Sequence, residues 1–144
     1  APHAASVDID MPQSDVGATI TQDGTRNSAS LDQLGTQQRA AMTQSGSGNA
    51  ASISQSGSAN SADIRQSGDA NLAAAVQAGA NNTLAIGQLG TGNAVSVTQS
   101  GNADRASVQQ SGNNNRVDIV QSANASGITV RQTGDGNAAK VVQH

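Results

Sequence analysis

The chain has no Phe, Tyr or Trp, no Cys, and only two Pro among its 144 residues. Without aromatic rings, and with 35% apolar residues, it lacks the bulky side chains that fill the interior of an ordinary domain of this length. Charge is scarce too, at 12%. Disordered chains usually owe their expansion to abundant charge, so a polar composition alone does not settle order against disorder. A net charge of −3 and a pI near 4.9, with scattered Arg and no aromatic stacking platform, argue against nucleic acid as a partner. No apolar run approaches the roughly 18 residues of a membrane-spanning helix. The lack of Cys excludes disulfides and thiolate metal sites, and suits a secreted chain that stays unfolded in transit. The opening residues APHAAS have no basic and apolar leader, so any signal peptide is expected to have been removed already.

What the chain has is Gly, Ser, Asn, Gln and Ala in strict order. Gln recurs every eleventh residue at Gln22, Gln33, Gln44, Gln55, Gln66, Gln77, Gln88, Gln99, Gln110, Gln121, Gln132 and Gln143. Two residues after Gln stands Gly24, Gly35, Gly46, Gly57, Gly68, Gly79, Gly90, Gly101, Gly112 or Gly134, with Ala123 the one substitute. Five after it stands Asn27, Asn49, Asn60, Asn71, Asn82, Asn93, Asn115 or Asn137, replaced by Gln38, Asp104 and Ser126. Seven and nine after it the residue is always aliphatic, and the second is usually the larger, as in Ala51 with Ile53.

An eleven-residue period can mark a right-handed helical supercoil. Here the apolar pair lies two residues apart, which a helix places on nearly opposite faces and a strand places on one. A Gly in every unit would also cost a helix repeatedly. Each unit therefore reads as a strand from Asn to the next Gln, followed by a four-residue turn in which Gly supplies positive φ.

One unit cannot stand alone, because ordering eleven residues costs about 1–2 kcal/mol each while its Ala and Ile recover only about 2–4 kcal/mol by burial. Two units facing each other across their apolar sides make a flat coil of 22 residues. Such coils, stacked about 4.8 Å apart, form a β-solenoid in which each strand bonds to the strands above and below. The expected architecture is all-β, with about six coils over residues 16–144. Residues 22 apart then form columns: Gln22 through Gln132 make one, Gln33 through Gln143 the other. A buried amide without partners costs about 1–3 kcal/mol, but stacked identical amides donate to one neighbour and accept from the next. Neutral Gln and Asn stack without the repulsion that Glu or Lys would bring.

Several expectations concern the outer face and the ends. Asp118 should lie under Lys140 and beside Arg116 as an exposed ionic cluster, and like charges should not stack. Leu72, Val76, Val120 and Val142 fall on the outer face of one sheet and read as scattered exposed aliphatics rather than a lateral contact between fibres. Residues 1–15 are expected to be loose, with a degenerate strand at 5–11 in which Val7, Ile9 and Met11 take the inward slots. At the other end the strand pattern completes with Ala139, Val141 and Gln143, and only His144 follows. An open strand edge templates pairing with another chain. Head-to-tail addition through Ala139, Val141 and Gln143 would be heterologous and would not close, giving an unbranched fibre.

The spacing of Gln44, Gly46, Asn49, Ala51 and Gln55, recurring through residue 143, resembles the curlin repeats of bacterial curli over about five-sixths of the chain. The resemblance implies a secreted amyloid subunit, exported through an outer-membrane pore and polymerised on the cell surface, where it supports biofilm matrix and adhesion. It also implies secretion machinery and a nucleator or major-subunit partner. Residues 1–21 show no Gly-rich export segment like that of familiar members, and Q-x-G in both arms of each coil resembles the minor, nucleating subunit as well as divergent major ones. The regular C-terminal unit favours the major subunit.

Other functions fit less well. The two histidines, His3 and His144, are terminal and the acids are dispersed, so no catalytic, cofactor-binding or metal site is expected. A calcium-binding roll would need acidic Gly-rich turns, and TGDGN at 133–137 is a single imperfect fragment. An ice-binding solenoid should present a continuous outward array of Thr, whereas Thr19, Thr21, Thr43, Thr83, Thr98 and Thr129 make no continuous column. NNT at 81–83 and NAS at 124–126 match glycosylation acceptors, as chance allows in so Asn-rich a repeat.

Overall fold

The computed structural model describes residues 6–10 and 16–144. Successive strands alternate between two parallel sheets. One sheet runs β1 (Ser6–Asp10), β3 (Ser28–Thr36), β5 (Ala50–Ser58), β7 (Leu72–Ala80), β9 (Ala94–Gln99), β11 (Arg116–Gln121), β13 (Ala138–Gln143). The other runs β2 (Gly17–Thr25), β4 (Arg39–Ser47), β6 (Ser61–Asp69), β8 (Thr83–Thr91), β10 (Arg105–Asn113), β12 (Gly127–Thr133). Every strand pair is in register at 22 residues, so Ala51 pairs with Ala73 and Gln55 with Gln77. This is a parallel β-solenoid of about six turns.

Alternation of burial, with every second residue buried through the first six positions of β3, β8 and β10, shows the physical origin of the coil. Leu31, Ile53, Val97 and Ile119 from the seven-stranded sheet and Met42, Ile64, Ile86 and Val108 from the other are buried in one narrow cluster, with Ala, or Leu84, Val95, Val117 and Ile128, at the alternate slots. Each large aliphatic contributes about 1.5–3 kcal/mol by leaving water. Ala18 and Ile20 at one end, and Val130, Ala139 and Val141 at the other, pack against this cluster but remain partly exposed.

The strands differ from the expected Asn-to-Gln span. Most run nine residues, through Gln and Gly, and leave a corner of only two residues, such as Ala59 and Asn60 between β5 and β6. The ladder survives the bend because Gly57, at φ 109°, pairs in register with Gly79, and a Cβ on Gly57 would collide with the Gly79 carbonyl oxygen. A second left-handed residue follows two positions later. It is Ala59, Ala70, Arg26 or another side-chain-bearing residue at φ 55–60° in eight corners, and Gly48, Gly92 or Gly136 in three.

Two charge expectations fail. Asp118 and Lys140 are register partners, yet the ion pair found among the described residues is Asp63 with Arg65 at 3.0 Å, both well exposed. Holding two long exposed side chains together costs rotamer entropy comparable to the gain, so register alone does not close the pair. Like charges do share a register position at one place, where Asp10 pairs with Asp32. The strand expected at 5–11 is described over Ser6–Asp10, paired with β3; residues 1–5 and 11–15, including Met11, lie outside the described residues.

Candidate functional site: amide ladders and strand edges

The glutamine columns stand at the edges of the core. Gln44 Nε2 donates to Gln66 Oε1 at 2.8 Å and to the Ser28 carbonyl at 2.8 Å, so each amide joins one rung to the next and one sheet to the other. Gln55, Gln66, Gln77, Gln88, Gln99 and Gln110 repeat the arrangement, with rung-to-rung bonds of 2.8–3.0 Å. Gln22 enters its column by donating to Gln44, and Gln33 enters the other by donating to Gln55, both at 2.7 Å. Gln132 accepts from Gln110 and Gln143 accepts from Gln121, the latter at 3.3 Å. The polarity is uniform: Nε2 always points toward the C-terminal coil.

The asparagines organise the corners. Asn49 Nδ2 donates to the carbonyls of Ser45 and Gly68 at 3.0 and 2.8 Å, while its Oδ1 accepts the Asn71 amide N–H at 3.1 Å. One short side chain thus satisfies three backbone groups that the bend would otherwise strand without partners. Asn27, Asn71, Asn93 and Asn115 occupy the same corner column and donate to Gly46, Gly90, Gly112 and Gly134 in turn. Asn137, in the last rung, donates to Thr133 and its N–H is held by Asn115 Oδ1. Asn60 and Asn82 serve the opposite corner, reaching Gly79 and Gly101.

All departures from the repeat fall in that opposite corner, which leads from the seven-stranded sheet to the six-stranded one. Gln38, in an Asn slot, keeps both donor bonds, to Leu34 and Gly57, but its buried Oε1 has no partner among the described residues. Asp104, fully buried, accepts the Ser126 N–H with Oδ1 and leaves Oδ2 unpartnered. Its Oδ2 occupies the place of an amide Nδ2, which at Asn82 donates to two carbonyls. Ala123 stands over Gly101, which is not among the positive-φ residues, and β9 and β11 both end at their Gln rather than running on through the corner. The equivalent corner between the other pair of faces keeps Gly24, Gly46, Gly68, Gly90, Gly112 and Gly134 without substitution. Sequence reading noted each substitution separately; counting them by odd and even unit would have shown that they share a column.

The remaining candidates form the strand edge. β13 terminates the seven-stranded sheet and β12 the six-stranded one. Ala139 and Val141 face the core and are partly buried, and Gln143 caps its column. Outside the solenoid, Leu34, Leu72, Val76, Leu89 and Val142 are exposed at 44–57% and are divided between the two sheets. No helix among the described residues is long and apolar enough to cross a membrane.

No curated protein matches the chain. The family described as the curlin associated repeat matches it three times in succession, over residues 24–57, 57–90 and 90–122, which together exceed half of the sequence. That family consists of extracellular structural proteins that assemble into fibres rather than enzymes, and with this extent of match the chain belongs to it.

Proposed function

We propose that the chain is a structural subunit of an extracellular curli-like amyloid fibre, the major subunit rather than the minor nucleator, adding head to tail through the strand edge at Ala139, Val141 and Gln143. The reading rests on one observation. The Gln ladders run with a single polarity to the last rung, so the donor that points onward from Gln143 is the one that enters the next rung everywhere else. A second copy supplies the same register. Secretion machinery and a nucleating partner follow from this reading, as does service in biofilm matrix and adhesion.

Purified protein diluted from denaturant is expected to form unbranched fibres with a reflection at about 4.7–4.8 Å from the strand spacing. Val141→Lys, which puts an ammonium into the edge, is expected to slow seeded elongation far more than Ser52→Lys on the outer face. Equal rates would remove the C-terminal edge from the mechanism. A monomer that persists at high concentration and shows thermal hysteresis would replace the fibre reading with ice binding. A major subunit is consumed stoichiometrically; acceleration of a partner's assembly at trace amounts would identify a nucleator.

A further inference from the structure

Gln33 is fully buried, and its Nε2 donates to Gln55, but its Oε1 has no hydrogen-bond partner among the described residues. In the rungs above, that oxygen accepts from the glutamine 22 residues earlier, as Gln55 does from Gln33 and Gln77 from Gln55. The residue 22 before Gln33 is Met11, a type that carries no donor. The strand beneath β3 has a second defect among its described residues: its register sets Asp10 opposite Asp32. Like charges directly opposite one another destabilise a strand pair.

β13 carries what β1 lacks. The two strands lie six coils of 22 residues apart, so Val7, Asp8, Ile9, Asp10 and Met11 correspond to Ala139, Lys140, Val141, Val142 and Gln143. Laid against the β3 of a second copy, β13 would bring Gln143 Nε2 to the orphan Gln33 Oε1. It would also set Val142 rather than an aspartate opposite Asp32, and fill the inward slots with Ala139 and Val141.

Sheet continuity points the same way. The described strands number seven in one sheet and six in the other. If a second copy stacked with its β1 in place, β13 would meet β1 while β12 and the copy's β2 stood two rungs apart, about 9.6 Å instead of the 4.8 Å that strand pairing needs. Two facing edges of backbone N–H and C=O groups would then remain unpaired, at about 1–3 kcal/mol for each group closed off from water. With β1 removed, both sheets close together. We propose that β1 is a provisional edge strand, displaced from β3 by the β13 of a second copy of this chain, so that fibres grow by strand exchange with a repeat of six coils. This inference rests on the self-assembly reading above.

The absence of native cysteine makes disulfide trapping clean. Asp8 and Ser30 are register partners on adjacent rungs, within the roughly 4.4–6.8 Å Cα separation a disulfide spans. The variant Asp8→Cys/Ser30→Cys of the 144-residue chain is expected to form fibres when reduced and to elongate at least tenfold more slowly when oxidised, because β1 is then tied to β3. Fibres of mixed Ser30→Cys and Lys140→Cys single variants should oxidise to covalent dimers, and mixtures of Asp8→Cys with Lys140→Cys should not. If the reduced double variant forms fibres and the oxidised form elongates equally fast, or if the 8 and 140 positions cross-link in preference to 30 and 140, strand exchange is overturned while self-assembly stands. If neither the parent chain nor the reduced variant assembles, the self-assembly reading falls and this inference with it.

Discussion

Replacing Gln66 by Glu changes one nitrogen to one oxygen at the middle of a ladder, and the structure says what that costs. Gln66 is 2% exposed; its Oε1 accepts from Gln44 at 2.8 Å, and its Nε2 donates to Gln88 and to the Ala50 carbonyl, both at 2.9 Å. The introduced carboxylate keeps the first bond. It turns the other two into contacts between acceptors, leaving Gln88 Oε1 and the Ala50 carbonyl without that donor. At about 1–3 kcal/mol for each unsatisfied buried group, and more for a buried charge, the expected loss at pH 7 is about 4 kcal/mol. With a urea slope of about 2 kcal/mol/M, the unfolding midpoint should fall by about 2 M. Protonation returns one donor and removes the charge, so the introduced acid should have a folded pKa above its unfolded value of about 4.3. The variant should therefore be closest to the parent below about pH 4.3 and lose stability as pH rises through the higher folded value. Ser52→Glu, on the outer face, is the control and should stay within about 0.5 kcal/mol. Urea titrations at pH 4 and pH 7 read both effects. Equal midpoints for the two variants at pH 7 would refute the claim that stacked amides hold the coil together.

Other substitutions test the corners. Asp104→Asn supplies an Nδ2 where Oδ2 is unpartnered and should stabilise by about 1–3 kcal/mol, read as a higher urea midpoint. Ala59→Gly or Ala70→Gly relieves a left-handed residue at φ 56° or 55° and should add about 1 kcal/mol. Gly57→Ala, two positions before Ala59, should destabilise by several times that amount, because its Cβ meets the Gly79 carbonyl oxygen; thermal unfolding of both variants decides. Deleting residues 1–15 should shorten the lag before fibres appear, as measured by light scattering; a longer lag would count against β1 as a protecting strand.

The period made the fold readable. Twelve glutamines at one spacing leave a single register, and the aliphatic pairs two residues apart choose strand over helix, so the sheets, the inward face and the 22-residue columns all followed from residue order. The corner was only half legible. The Gly two residues after Gln announced a positive φ, met everywhere but at Gly101, but the second was hidden because Arg26, Gln37, Ala59 and Ala70 fill it with types that give no turn signal, while Gly48, Gly92, Gly136, Asn81 and Asn114 did give one at the same offset. Side-chain pairing was the least legible. Register places Asp118 against Lys140, yet whether flexible exposed chains meet depends on rotamer entropy, which spacing does not encode. The orphan oxygens of Gln33, Gln38 and Asp104 likewise emerge only when each donor is traced to its acceptor.

The confinement of Gln38, Asp104, Ala123 and Ser126 to one of the two corners gives the solenoid a conservative flank and a permissive one. A peptide grafted at Asn124 and Ala125 would leave the invariant flank untouched. In a fibre with a six-coil repeat, such grafts would line a single side of the filament, one about every 29 Å. The same asymmetry that loosens the coil would thus provide a regularly spaced display rail.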